Sequence, residues 1–220
     1  MMPVNEEAFG HFWLDLTFEA QSHAMELAEA LLSQHGVDFE RLARETWEAH
    51  PRRPLDEAFL EARDGWQLRE QFPQYLRRAL FLVCYTRIEG ILNSLCHAAK
   101  GQQNLPLSLG DLKGSGIRRA KRYLTRLAGV SEPFQTSDWR QLTNYNELRN
   151  VLVHGEGVLQ DTSQHQTLRG FVDRHQLLDL DDNGFIIIRQ GFCEEVVYAA
   201  HCFFAEFPYE LIVAVSPDGV

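Results

Sequence analysis

Thr143–Gly155, TNYNELRNVLVHG, has the periodicity of an amphipathic helix. At about 100° per residue, its apolar residues share one arc and most polar residues share the other. Arg149 falls inside the apolar arc, where a guanidinium must reach solvent, pair with a buried acceptor or meet another chain. His154 lies in the last turn, because Gly155 and Gly157 are helix stop signals. The pattern predicts a helix that carries a cation and a titratable imidazole.

Each of these two residues also has a purely structural interpretation. Arg149 could cap a neighbouring helix, and His154 could serve only as a partner for the negative end of its own helix dipole. Positions five apart diverge by about 140° around a regular helix. The two side chains of one protein chain therefore do not converge easily on one phosphate. A distorted last turn or a partner chain would bring them together.

Arg149, Asn150 and His154 resemble the motif of HEPN domains, in which an arginine and a polar residue precede a histidine. HEPN domains are all-helical modules found in many prokaryotic toxins and RNA-processing enzymes. The resemblance implies metal-independent RNA cleavage at a cleft where two protomers bring their motifs together. It implies that the arginine stabilises the scissile phosphate and that the histidine assists proton transfer at the ribose 2′-hydroxyl.

The resemblance extends on both sides of the motif. Phe81–Cys96 is similar to the long helix of the family that carries an inward acidic residue, here Glu89. Gly184–Ile188, followed by the helical segment Cys193–Phe207, is similar to the tail of several bacterial HEPN proteins. The similarity covers about residues 72–210, and the first seventy residues resemble no family that we can name.

The resemblance implies catalytic roles for Arg149, His154, Asn150 and Glu89. A carboxylate on so apolar a helix should be paired, and we expect Glu89 to contact Arg149 or Arg87; alternatively it faces solvent at a groove edge. The expected partners are RNA, a second copy of the chain and a cognate antitoxin. Two alternatives remain open: a non-catalytic module that holds RNA or a nucleotide, and a helical interaction protein in which the motif is structural.

The expected fold is an all-α, HEPN-like helical bundle with one short β-hairpin near residues 180–190. We expect an N-terminal helical extension over residues 1–71 and a HEPN-like domain over residues 72–215. Ser137 or Thr136 is the expected cap of the motif helix. The other predicted elements are helices over residues 5–35, 38–49, 56–72, 73–100, 117–128 and 193–213, and a strand over 185–188.

The net charge of −10 at first opposes a nucleic-acid partner, but basic residues are concentrated locally. Residues 113–149 contain eight basic and three acidic side chains. This concentration predicts an RNA-binding surface; the alternatives are a solvated helix face or pairing with the acidic N-terminal half. Gly114–Gly116 could offer backbone amides to a phosphate. The candidate RNA-binding residues are Arg118, Arg119, Lys121, Arg122 and Arg126.

The composition favours a cytoplasmic globular protein without a metal or cofactor. The chain is 45% hydrophobic and 11% aromatic, which supplies a sizeable core. Its start is acidic and lacks the order of a signal peptide, and no apolar run suggests a membrane span. The four cysteines are far apart and form no C-x-x-C pair, and no H-E-x-x-H occurs, so we expect buried free thiols.

Overall fold

The computed structural model describes residues 18–34 and 71–215. Helix α1 covers residues 18–34. The later elements are α2 (Phe72–Gln103), α3 (Gly116–Arg126), α4 (Ser137–His154), α5 (Gln166–Val172), β1 (Leu178–Leu180), β2 (Ile186–Ile188), α6 (Phe192–Ala205) and α7 (Tyr209–Val213). The predicted all-α fold with one short hairpin is confirmed. The helix predicted over residues 38–49, and nearly all of that over 56–72, lie outside the described residues.

Helix α2 is the central helix of the bundle, and it packs against α3, α4 and α6. Pro73 lies in its first turn, where the missing N–H of proline costs nothing. By length and composition α2 is also the one helix of the described part that could cross a membrane. Its buried residues are Phe81, Cys84, Tyr85, Ile88, Ile91, Leu92, Leu95, Cys96 and Ala99.

Helix α4 carries the motif, and its two ends are where the sequence predicts them. The Thr136 hydroxyl accepts a hydrogen bond from the backbone N–H of Trp139 at 3.3 Å, which confirms the predicted N-cap. At the other end His154 is the last helical residue and Gly155 is the C-cap. The position of His154 at the end of the helix is therefore confirmed.

Aromatic rings pack the motif helix against α2 and α6. The ring of Tyr145 lies 6.3 Å from Phe81 and 5.7 Å from Phe192, with edge-to-face geometry in both contacts. Trp139 packs against Phe203 with ring centroids 5.6 Å apart. Such pairs add about 0.5–1.5 kcal/mol beyond area burial. These contacts fix which side of α4 turns inward and therefore which side faces the site.

The hairpin lies against the start of α2. Its strands pair antiparallel, with Leu178 opposite Ile188 and Leu180 opposite Ile186. The Gln74 side chain both donates to the carbonyl of Ile188, at 3.0 Å, and accepts from its N–H, at 2.9 Å. A side-chain amide thus satisfies the outer edge of β2 at Ile188.

The prediction of a single last helix over residues 193–213 is wrong, because the chain forms two helices there. Helix α6 ends at Ala205, and α7 begins at Tyr209. Pro208 between them adopts ψ 132°, outside the helical region. Proline has no N–H to donate and disfavours the helical conformation of the residue before it.

Helix α1 contacts both α2 and α6. The Arg77 guanidinium forms a two-pronged ion pair with the Glu29 carboxylate, with N–O distances of 2.6 and 2.7 Å. The Phe18 ring is stacked on Phe204 at 6.2 Å. Because this ion pair is mostly withdrawn from water, loss of either partner would leave a buried charge unpaired and destabilise the contact of α1 with α2.

Candidate functional site

The outer face of α4 forms the wall of three adjoining cavities, which we call the motif groove. The His154 cavity, about 320 Å³, is lined by Glu147, Asn150, Val151, His154, Gly155, Val158, Gln160 and His165. The Arg149 cavity, about 390 Å³, is lined by Glu89, Ser115, Gly116, Arg118, Asn146, Glu147, Arg149 and Asn150. The basic cavity, about 660 Å³, is lined by Gly114, Ser115, Arg118, Lys121, Arg122, Trp139 and Thr143. Neighbouring cavities share wall residues, Glu147 and Asn150 between the first two and Ser115 and Arg118 between the last two.

Arg149 and His154 lie in adjacent cavities of this groove and not in the same one. Glu147 and Asn150 line both cavities and form the boundary between them. This separation agrees with the divergence of positions five apart on a helix. The Arg149 guanidinium is half-buried and donates from Nη1 to Oδ1 of Asn150 at 3.2 Å, whereas His154 is exposed. Asn150 thus holds the guanidinium at the boundary of the two cavities.

Glu89 lines the Arg149 cavity and is half-buried. The predicted ion pair of Glu89 with Arg149 or Arg87 does not occur among the described residues. None of the salt bridges between those residues involves Glu89. Instead its Oε1 lies against the backbone of Gly116 at the start of α3, 2.8 Å from where a Cβ would be. A carboxylate is favoured at the positive end of a helix dipole. Of the backbone predicted to receive a phosphate, Gly116 therefore faces a carboxylate, whereas the Cβ position of Gly114 lies against the Arg122 guanidinium.

Gly116→Ala should destabilise the protein by about 1–2 kcal/mol, because an alanine there meets two obstacles. The backbone φ of Gly116 is +59°, and the added methyl would contact Oε1 of Glu89. Urea unfolding measures the effect. Gly90→Ala on α2 is the matched control, since nothing lies within 4 Å of its Cβ position. The control should gain up to about 1 kcal/mol. Equal unfolding midpoints for the two variants would contradict this geometry.

A chain of hydrogen bonds fixes the polar residues of the groove. Burial, followed by the charge of Glu89, raises the pKa of Tyr85, so its phenol stays protonated. The phenol donates to Oδ1 of Asn146 at 2.6 Å, and the Asn146 amide donates to Oε1 of Glu147 at 3.5 Å. The same oxygen accepts from Nη2 of Arg118 at 2.6 Å. Glu147 and Arg118 therefore have defined positions although both are exposed.

The structure brings together three of the five candidate RNA-binding residues. Arg118, Lys121 and Arg122 line the basic cavity, and Arg119 and Arg126 do not. The Lys121 ammonium lies over the Trp139 ring at 5.0 Å from its centroid, in a cation–π contact. The predicted set is therefore split by the helical turn, since successive residues of α3 point in different directions.

No family model, curated protein or solved structure matches this chain. The chemistry of the groove is therefore inferred from its own residues.

The inward face of α4 is fixed by a polar cluster that the sequence did not reveal. Oε1 of Glu195 on α6 accepts hydrogen bonds from Gln141 at 2.8 Å, from Tyr145 at 3.1 Å and from Nε2 of His175 at 3.0 Å. The His175 Nδ1 accepts from the N–H of Leu177, so the proton lies on Nε2. These bonds tie α4 to α6 and hold the motif helix at one rotation.

His165 is a second histidine of the groove that sequence reasoning missed. It lies eleven positions beyond His154, in a 3-10 turn over Ser163–His165, and lines the His154 cavity. Its position depends on the fold of the connecting loop, which no periodic pattern predicts. Only its residue type could have drawn attention to it.

The cysteines are free thiols, and three of them are buried. Burial raises the pKa of Cys84 to about 12 and that of Cys96 to about 12. These two thiols therefore stay protonated and unreactive at neutral pH. Within residues 18–34 and 71–215, no three His, Cys, Asp or Glu side chains are grouped so that they could hold a metal ion.

Proposed function

We propose that this chain is a metal-independent endoribonuclease of the HEPN type, which acts in the cytoplasm at a site shared across a homodimer. The observation that carries the proposal is the motif groove. Arg149, Asn150 and His154 line it in order, and Arg118, Lys121 and Arg122 extend it with positive charge. A cation for the phosphate and an imidazole for proton transfer are the two groups that RNA cleavage without a metal requires.

The proposed reaction is an internal displacement at phosphorus. The ribose 2′-oxygen forms a new bond to phosphorus, and the bond from phosphorus to the 5′-oxygen breaks. His154 accepts the proton of the 2′-hydroxyl, and a proton is delivered to the departing 5′-oxygen. The products are a 2′,3′-cyclic phosphate and a 5′-hydroxyl end. Arg149 stabilises the charge that develops on the phosphate oxygens, where a planar fork of donors fits well.

A site shared between protomers accounts for the separation of Arg149 and His154 into two cavities. Apolar residues exposed on the same pair of helices support a partner chain. Val83 on α2 is 61% exposed and Val153 on α4 is 44% exposed. Val153 directly precedes His154 in the last turn of α4, and a two-fold dimer is the commonest assembly of identical chains.

Light scattering at micromolar concentration should therefore give about twice the 25.3 kDa of one chain. Val153→Glu should shift the mass toward one chain, because it would bury a carboxylate at the interface. Tyr198→Glu on α6 is the matched control, since Tyr198 is 70% exposed on another helix. A wild-type chain that is monomeric at every concentration would exclude the shared site.

A second function, RNA or nucleotide binding without cleavage, is favoured by the basic cavity. Its three cations are grouped, and exposed ion pairs such as Arg118–Glu147 contribute only about 0.2–1 kcal/mol. A phosphate could therefore displace the Glu147 carboxylate from Arg118 at little cost. In this alternative, affinity falls steeply with salt, Arg149 contributes to affinity, and His154 is dispensable.

RNA cleavage in the presence of a chelator distinguishes the two functions. The wild-type chain is incubated with mixed-sequence RNA and with DNA of the same sequence. The ribonuclease should cleave RNA only, since DNA lacks the 2′-hydroxyl, and should leave 2′,3′-cyclic phosphate ends. Binding without cleavage would favour the binding module, and cleavage that requires a divalent metal would contradict the mechanism.

A further inference from the structure

The proposed displacement moves two protons, one from the 2′-hydroxyl and one to the 5′-oxygen. One neutral imidazole accepts the first, and in a concerted displacement a second, protonated group delivers the other. The motif supplies one histidine, His154, for these two proton transfers. The His154 cavity contains another imidazole, that of His165.

We propose that His165 is a second catalytic residue of this site, the general acid that donates a proton from Nε2 to the departing 5′-oxygen. This role rests on the proposed ribonuclease function. It assigns both proton transfers to one cavity of about 320 Å³, a size within the range of small-ligand sites.

The orientation of the His165 ring suits this role. Its Nδ1 lies 3.2 Å from the carbonyl oxygen of Gln160. A carbonyl oxygen only accepts, so Nδ1 carries a hydrogen and donates it. Nε2 is left for a ligand, and it has no hydrogen-bond partner among the side chains that the structure describes.

The loop that carries His165 is fixed to the rest of the fold. The N–H of Leu159 donates to the carbonyl of Gly184 at 2.8 Å, and the N–H of Ile186 donates to the carbonyl of Gly157 at 2.9 Å. These bonds attach the chain after α4 to the hairpin. Gly157 has φ +83° and the Arg78 guanidinium lies 3.0 Å from its Cβ position, so the turn accepts only glycine there. The chain that leads to His165 therefore starts from a turn held against the hairpin, and the N–H of His165 donates to the carbonyl of Thr162 at 3.0 Å.

Glu147 and Asn150 line the same cavity and complete its polar side. Glu147 also accepts from Arg118, so its carboxylate is already engaged by a cation. His165 thus shares its cavity with a carboxylate, an amide and the imidazole of His154.

His165→Ala tests the role with two RNA substrates. On ordinary RNA, cleavage should fall by about 10² to 10⁴. On RNA with a bridging sulfur in place of the 5′-oxygen at one linkage, the loss should shrink to less than about tenfold, because a thiolate leaves without a proton. His154→Ala should be equally impaired on both substrates, and His97→Ala, exposed on α2, should behave as wild type on both.

The pH dependence gives an independent readout. The wild-type rate should rise and then fall with pH, since one histidine must be neutral and the other protonated. His165→Ala should lose the fall on the alkaline side. Full activity of His165→Ala on ordinary RNA, or an equal loss on both substrates, would overturn the role of His165 and leave the proposed function standing. An inactive wild-type chain would overturn the ribonuclease function and this role together.

Discussion

His154→Ala should lower the rate of RNA cleavage by about 10² to 10⁴ while the protein stays folded. His154 is exposed at the end of α4, so its loss leaves no cavity in the core. The imidazole is the proposed acceptor of the 2′-hydroxyl proton, and alanine cannot replace it. Cleavage of a labelled RNA with chelator present measures the rate, and a circular dichroism melt verifies the fold.

His97→Ala is the control for removal of an exposed histidine, and it should cleave like the wild type. RNA binding by His154→Ala should be nearly unchanged, because the proposed role of the imidazole is proton transfer. A fully active His154→Ala protein would disprove the mechanism and leave the binding module as the better explanation.

Arg149→Lys should lower cleavage by about 10² or more, although the charge is retained. The Arg149 guanidinium donates to Asn150 and can still present a fork of N–H groups to a phosphate. A lysine ammonium is a point charge and reproduces neither the fork nor its orientation. The comparison of rates should be made at saturating RNA, so that weaker binding is separated from slower chemistry.

Arg126→Lys is the matched control, because Arg126 is exposed on α3 and does not line the groove. It should cleave at the wild-type rate. Asn150→Ala should have a smaller effect than Arg149→Lys, since a neutral amide only orients the guanidinium. If Arg149→Lys and Arg126→Lys cleaved equally well, the phosphate would not be bound by the guanidinium fork.

Features encoded in short stretches of sequence were predictable. The cap at Thr136 and the end of α4 at Gly155 depend on neighbours within one turn, and both occur where expected. The break at Pro208 was equally local. It was missed because apolar residues continue on both sides of the proline, from Phe207 to Leu211. The whole segment therefore resembles one long helix.

Features that depend on distant contacts were not predictable. Glu89 was expected to pair with an arginine, but the start of α3 supplies backbone that faces the carboxylate instead. His165 was overlooked because its position depends on a loop attached to the hairpin. In both cases the partner lies far away in sequence, and periodicity does not specify such contacts.

The most direct test of the shared ribonuclease site is complementation between two inactive variants. Arg149→Lys and His154→Ala chains are co-expressed with different tags, and the mixed dimer is purified through both tags. A mixed dimer holds one intact site, formed by Arg149 of one chain and His154 of the other, and one site with both defects. It should recover about half of the wild-type rate. A mixed dimer no more active than either parent variant would contradict a site shared between protomers.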